Sequence, residues 1–167
     1  MNTTSRLRLT PIGPAHAGEL HLLHQDPGIA EWYGPWTEED ALNAAVHMAE
    51  AWRTEGVHKW LAHHRETGEL IGRGGLSYTE VDGVRRLEAG WAVRRRFWGE
   101  GFATEIGRAA LTVAYVELAA SDVVAFTETH NLRSRAVMDR LGFAYSHDFL
   151  HRGEPFALYV HEPGQAG

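Results

Sequence analysis

The sequence predicts a mixed α/β (α+β) fold: one central, mostly antiparallel sheet of about seven strands with helices on both faces, in a single domain over residues 1–167. Three observations carry this expectation. Residues 57–64, 70–78 and 86–93 read as strands joined by turns at Glu66-Thr67-Gly68-Glu69 and Asp82-Gly83, so three antiparallel strands follow one another. The third runs into a glycine-bearing turn, a helix and then the short apolar run Val123-Val124-Ala125-Phe126, which suits a strand buried on both faces and implies a right-handed crossover between parallel strands. A chain of 167 residues, 44% hydrophobic and 23% charged, suffices for one core and is short for two ordinary domains.

The other elements follow in order. Residues 6–10 alternate around Leu7 and Leu9 and form a first strand, stopped by Pro11 and Gly13. Residues 15–24 carry Leu20, Leu22 and Leu23 on a helix that Asp26-Pro27-Gly28 ends. Residues 29–36 read as a loop holding Trp32, Tyr33 and Trp36, aromatics that either pack onto the core or line a pocket for an organic amine. Thr37 caps a helix to about residue 54, with three acids in its first turn and apolar positions Leu42, Val46, Ala49 and Trp52. After the glycine turn, a helix over 102–118 leads to the strand at 123–126, and a further helix over 132–141 closes on Gly142. Residues 143–150 and 156–161 form a last hairpin around Arg152-Gly153-Glu154.

Composition narrows the chemistry. The chain has no cysteine, which excludes disulfides, thiolate metal sites and a cysteine acyl-enzyme. A formal charge of −6 argues against a general affinity for nucleic acid and suits a cationic or amine substrate. The eleven histidines show no metal-ligand spacing, so no metal is expected. No segment reads as a signal peptide or a membrane span, and the cytoplasm is the expected location.

The segment Arg94-Arg95-Arg96-Phe97-Trp98-Gly99-Glu100-Gly101-Phe102-Ala103-Thr104-Glu105 is a strand-to-helix turn. Its glycines leave room for close approach to the backbone, and the unpaired N–H groups of a first helical turn favour an anion such as phosphate. A Walker loop is excluded, because no Gly-Lys-Ser/Thr follows Gly101. A dinucleotide fingerprint fits only in part, with Thr104 where a small residue belongs and about ninety residues ahead of a unit that normally begins its fold. A tight turn with incidental glycines remains open.

Arg96-Phe97-Trp98-Gly99-Glu100-Gly101 resembles the Arg/Gln-x-x-Gly-x-Gly/Ala coenzyme A pyrophosphate loop of the GNAT N-acetyltransferase superfamily. About thirty residues on, Asn131-Leu132-Arg133-Ser134 through Gly142-Phe143 resembles that family's second motif. Glu88-Ala89-Gly90-Trp91 and Trp98-Gly99-x-Gly101-Phe102-Ala103-Thr104-Glu105 resemble the branch that acetylates the N-termini of ribosomal proteins. The resemblance implies the GNAT fold and acetyl-CoA as donor. It implies pyrophosphate binding by Arg94, Arg96, Trp98, Gly99, Glu100, Gly101, Ala103 and Thr104, and strand-like pairing of the pantetheine with Trp91, Ala92 and Val93. Asn131 would hold the pantetheine, and Ser134 would sit near the sulfur; their local alternative is a helix cap and its first turn.

An amine near pKa ~10.4 must lose a proton before it attacks a thioester. Glu88 is the candidate base, on the strand face opposite Leu87, Ala89 and Trp91. The leaving thiolate has a tyrosine as its usual donor in this family, four residues before the Gly-Phe glycine; here that place is Met138, which leaves Ser134 or water. Trp32, Tyr33, Trp36, Phe156 and Tyr159 are the candidates for the acceptor side. Direct transfer to a peptide N-terminus or a small-molecule amine in a ternary complex is the expected reaction, with a catalytically silent acyl-CoA sensor as the alternative and a homodimer left open.

Overall fold

The computed structural model describes residues 2–164; Met1 and residues 165–167, counted in the expected domain, lie outside the described residues. In chain order it contains β1 (Asn2–Thr3), β2 (Leu7–Pro11), α1 (Ala17–Leu23), α2 (Pro27–Tyr33), α3 (Glu38–Glu55), β3 (Lys59–His64), β4 (Leu70–Val81) and β5 (Val84–Val93). There follow α4 (Phe102–Thr112), β6 (Val123–Glu128), α5 (Leu132–Leu141), β7 (Ala144–His151) and β8 (Glu154–His161). The strands form one open sheet of eight in the order β1-β2-β3-β4-β5-β6-β8-β7. The strand beyond the expected seven is β1, whose two residues pair with Leu9 and Arg8 and are too few to show a period in sequence.

The chain forms two compact units, one up to Gly75 with Trp91–Ile106, the other Leu76–Gly90 with the chain from Gly107 onward. In the first, β2 pairs antiparallel with β3 from Leu7–His64 to Pro11–Trp60, so Pro11 is the last rung of the strand it was expected to stop. Its core joins Ile12, Leu20, Leu23, Ile29, Ala41, Ala45, Met48, Leu61, Leu70 and Ala92. Thr37 and Asp40 form a reciprocal capping box, and Gly56 ends α3 in the left-handed region at φ 74°. The buried face of α3 is displaced by one residue from the expected one. Ala41, Ala45, Met48 and Ala51 face inward, while Leu42 and Val46 are 45% and 50% exposed. The inward alanines share the core cluster with Leu20 and Leu23 of α1, and small side chains let two helices approach closely.

A second correction concerns residues 29–36. Asp26-Pro27-Gly28 ends α1 but also starts α2: the Asp26 side chain accepts from the Gly28 N–H and Pro27 takes the first turn. Trp32 and Tyr33 are therefore helical, and only Gly34 to Trp36 remain in the loop.

In the second unit β6 lies parallel to β5 with Glu88 opposite Val124, as the crossover requires. β8 pairs antiparallel with β6 from Val123–His161 to Glu128–Phe156, and with β7 across a bulge between Tyr145 and His147. α5 is capped by Asn131 and closed by Gly142 at φ 91°. The helix expected over 102–118 is α-helical only to Thr112 and passes into a π turn, Val113–Glu117.

Candidate active site

In the first unit, β5 leaves Arg94 extended, its N–H donating to the Ile71 carbonyl at 2.9 Å. A 3-10 turn, Arg95–Phe97, then carries the chain to Gly99 and Gly101, which adopt φ of 81° and 83°. These values lie in the left-handed region that glycine tolerates without strain, so the chain reverses here and α4 starts at Phe102. Gly101 contributes its carbonyl to the Glu105 N–H at 3.0 Å, while the N–H groups of Phe102, Ala103 and Thr104 have no acceptor within the helix. They and the positive helix end make a terminus that could hold an anion.

This turn is braced both from within the motif and by residues outside it. The Trp98 indole donates to the Val93 carbonyl at 2.9 Å. Gly28 lies against it so closely that a Cβ there would meet the Trp98 ring at 2.7 Å. Asp26 Oδ1 accepts from both the Gly28 and the Arg95 N–H groups, each at 3.0 Å, so one carboxylate starts α2 and pins the loop. On the far side Glu105 accepts from the Thr4 hydroxyl, from Arg6 N–H at 3.1 Å and from Arg6 Nε at 2.8 Å. Arg6 Nη1 donates to the Glu100 carbonyl at 2.9 Å, and its guanidinium lies 4.1 Å from the Phe102 ring centre. Burial opposes charge on Glu105, but the hydrogen bonds from Thr4 and Arg6 outweigh it and hold the carboxyl below its ordinary range.

The three arginines have separate tasks. Arg94 Nη1 donates to the Leu70 carbonyl at 3.2 Å, Arg96 pairs with Glu69 at 3.0 Å, and Arg95 lies over Trp98 with 5.6 Å to the ring centre. Of the strand carbonyls expected to meet the pantetheine, that of Val93 accepts from Trp98 and that of Trp91 from the Tyr33 hydroxyl at 3.4 Å; each carbonyl keeps a second lone pair. Ala92 abuts Gly72, where a Cβ would stand 2.1 Å from the Ala92 oxygen.

In the second unit Glu88 is half-buried, opposite Val124 and 3.4 Å from the Ser77 hydroxyl, which donates to it. Because paired residues share a face, Val124, Phe126, Leu158 and Phe156 stand on the side of Glu88. Tyr159 pairs with Ala125 and stands on the other side, where its hydroxyl accepts from Arg135 Nε at 3.0 Å. Phe156 is thus brought to the face of Glu88, and Tyr159, expected beside it on the acceptor side, is turned away.

The Asn131 amide is engaged locally: its Oδ1 accepts from the Ser134 N–H at 3.2 Å and its Nδ2 donates to Thr127 Oγ1 at 3.0 Å. Ser134 is half-buried in the first turn of α5. Met138, in the place of the tyrosine donor, is 2% exposed and belongs to the core.

Of the aromatic candidates in the first unit, Trp36 stacks on His24 with ring centres 3.5 Å apart and planes at 2°. Tyr33 sits edge-on to His24 at 6.1 Å and 4.8 Å from the Arg73 guanidinium. Trp36 packs onto the core, whereas Tyr33 is 46% exposed and Trp32 half-buried. Among the described residues no group of three or more histidines and acids could hold a metal ion, and no helix is long and apolar enough to cross a membrane.

The fold agrees with comparisons to known proteins. The profile of the acetyltransferase (GNAT) domain matches residues 6–144. The chain belongs to this family of acyltransferases, whose acetyl donor is acetyl-CoA. It is 29% identical to the FsC-acetyl coenzyme A-N(2)-transacetylase of Aspergillus fumigatus over 89% of this chain and 67% of that one. Two solved structures share the fold at lower identity. The ribosomal-protein-S5-alanine acetyltransferase of Vibrio fischeri aligns with a TM-score of 0.80 at 13% identity, over 98% of this chain and 96% of that one. The aminoglycoside acetyltransferase AAC(6')-Ib, in complex with coenzyme A, aligns with a TM-score of 0.79 at 17% identity, over 94% and 95%.

The sequence pointed to the glycine turn and to Glu88, but Asp26, Gly28, Arg6 and Glu105 as braces were not anticipated. Asp26-Pro27 was a readable signal, since Asp at an N-cap followed by Pro opens a helix. The Arg6–Glu105 pair spans a separation of 99 residues, which no local pattern encodes.

Proposed function

We propose that this protein transfers the acetyl group of acetyl-CoA directly to a primary amine, with Glu88 as the base. The observation that carries the reading is the braced glycine turn, in which Gly99 and Gly101 take up left-handed backbone and open the N-terminus of α4 to an anion. Backbone N–H groups at Ala103 and Thr104 would bind the pyrophosphate, with the Arg94 and Arg96 guanidinium groups adding charge. Trp91, Ala92 and Val93 would offer backbone to the pantetheine. Glu88 lies upstream on the same strand.

Glu88 takes a proton from the acceptor ammonium, directly or through one water. The freed nitrogen lone pair forms the bond to the acetyl carbon as the carbon–sulfur bond breaks, and the thiolate leaves with the electron pair. Met138 carries no hydroxyl, so the thiolate takes its proton from Ser134 or from solvent. A thiol near pKa ~8.5 leaves readily enough that such a donor gives only modest acceleration. The similar proteins are named for a ribosomal protein, an aminoglycoside and FsC, and the acceptor here is a primary amine on either a peptide or a small molecule.

The test is release of CoA thiol from acetyl-CoA with and without peptides, polyamines, aminoglycosides and arylalkylamines. Acceptor-dependent release is expected, and Glu88→Gln should lower kcat by roughly 10²–10⁴ at neutral pH with little change in the KM for acetyl-CoA. Full turnover by the Gln variant would remove Glu88 from the role of base. Tight acetyl-CoA binding with no release for any amine would favour the sensor instead.

A further inference from the structure

The face of the second unit that carries Glu88 also carries a cluster of rings. Phe126 lies 5.4 Å from Phe149, 5.1 Å from His151 and 6.0 Å from Phe156, and His151 lies 4.9 Å from Phe156. Phe149 is buried beneath the others with Val81, Val124 and Leu158. Phe126, His151 and Phe156 are only half-buried and keep ring surface available. The helical segments of this unit contact the opposite face, through Arg135 on Tyr159 and Tyr115 on His161. Glu88 pairs with Val124, and Phe126 is two residues along from Val124, so the carboxylate and the Phe126 ring are diagonal neighbours on one surface, from which the cluster continues through His151 and Phe156.

We propose that the acceptor is a primary amine carried on an aromatic body, held with its ammonium at Glu88 and its ring against Phe126, His151 and Phe156. This rests on the acetyltransferase reading with Glu88 as base, and it names the class of acceptor. Diagonal neighbours on a sheet stand about 7–8 Å apart, a gap that an ammonium and a ring joined by a short alkyl spacer fill. Edge-to-face contacts already organise the cluster, and a further ring extends the same packing. Burial, then the Arg152 charge, lowers the His151 pKa against the opposing pull of Glu88. The imidazole is therefore a neutral wall at neutral pH and does not compete with the ammonium for the carboxylate. Arg152, at the hairpin tip beside His151, also disfavours a second ammonium there, which weighs against polyamines.

The test compares 2-phenylethylamine with ethanolamine, 1,4-diaminobutane and triglycine as acceptors, by CoA thiol release and by calorimetric binding to the CoA-loaded protein. The kcat/KM for 2-phenylethylamine should exceed that for ethanolamine by about tenfold or more. Phe126→Leu and Phe156→Leu, which keep an apolar side chain, should each raise its KM about five- to tenfold and leave the KM for acetyl-CoA unchanged. Preference for ethanolamine, the diamine or the peptide, with no effect of either Leu variant, would overturn this assignment and leave the acetyltransferase reading standing. Absence of transfer to every amine by a protein that binds acetyl-CoA would overturn both.

Discussion

Glu105 lies just beyond the glycine turn, yet it holds that turn in place. It receives three hydrogen bonds from Thr4 and Arg6, and Arg6 in turn holds the Glu100 carbonyl inside the turn. Glu105→Gln keeps the shape and removes the charge that strengthens those bonds. The variant should lose on the order of 1–2 kcal/mol of stability and show a several-fold higher KM for acetyl-CoA. Urea unfolding and steady-state kinetics check the two effects separately, and an unchanged midpoint with unchanged KM would show that the carboxylate is dispensable. Single residues also mark where sequence reading stops. Arg94, Arg95 and Arg96 read together as positive charge beside a phosphate, but their partners Leu70, Trp98 and Glu69 are set by folding. Charge is written in the sequence, whereas the partner of a charge is a tertiary fact.

At the scale of elements, strands and capped helices were legible because their signals are local. The capping box at Thr37, the left-handed Gly142 and the turns at Gly68 and Gly83 stand where residue type demands. α2 was missed although Asp26-Pro27 is a legitimate helix start, because Asp26-Pro27-Gly28 reads equally well as the stop of α1. The inward face of α3 was misplaced because Leu42 and Val46 outrank Ala41 and Ala45 in hydrophobicity, while the alanines suit its packing with α1. Asp26 joins these scales, since its carboxylate both caps α2 and fixes the Arg95 N–H. Asp26→Ala should therefore cost about 1 kcal/mol through the lost cap. It should also weaken acetyl-CoA binding beyond what a capping defect explains. The control is Asp26→Ser, which restores a cap acceptor with a shorter reach: recovery of stability without recovery of acetyl-CoA affinity is expected. Full recovery of both would assign Asp26 to helix capping alone.

For the whole molecule, the response to acid follows from a histidine buried among aromatic rings. His24 is fully buried, stacked on Trp36, with Nε2 facing Arg73 Nε at 3.4 Å. Burial first, then the Arg73 charge, lowers its pKa from 6.5 to about 3, against a weaker contrary pull from the Gly34 carbonyl. Between those two values the unfolded chain binds a proton that the folded chain excludes, so unfolding is favoured as pH falls. The stabilisation from a neutral His24 is thus complete above pH ~6.5 and declines by up to about 1.4 kcal/mol per pH unit below it. Glu105 has the opposite chemistry and the same sign: a carboxyl depressed on folding contributes above its ordinary value and loses that contribution only at lower pH. Acid unfolding should therefore begin near pH 6, before carboxylates in general titrate, and steepen below about 4.5. Replacing the imidazole by a group that does not titrate separates the two ranges. In His24→Gln the stability measured by urea should be lower at pH 7.5 and fall less steeply from pH 6.5 to 5 than in the parent protein, with the steeper fall below retained. The residual slope comes from His58, whose pKa burial, ahead of neighbouring charges, lowers to about 3 as well. A slope in that interval equal to that of the parent protein would show that another group governs the onset of acid unfolding.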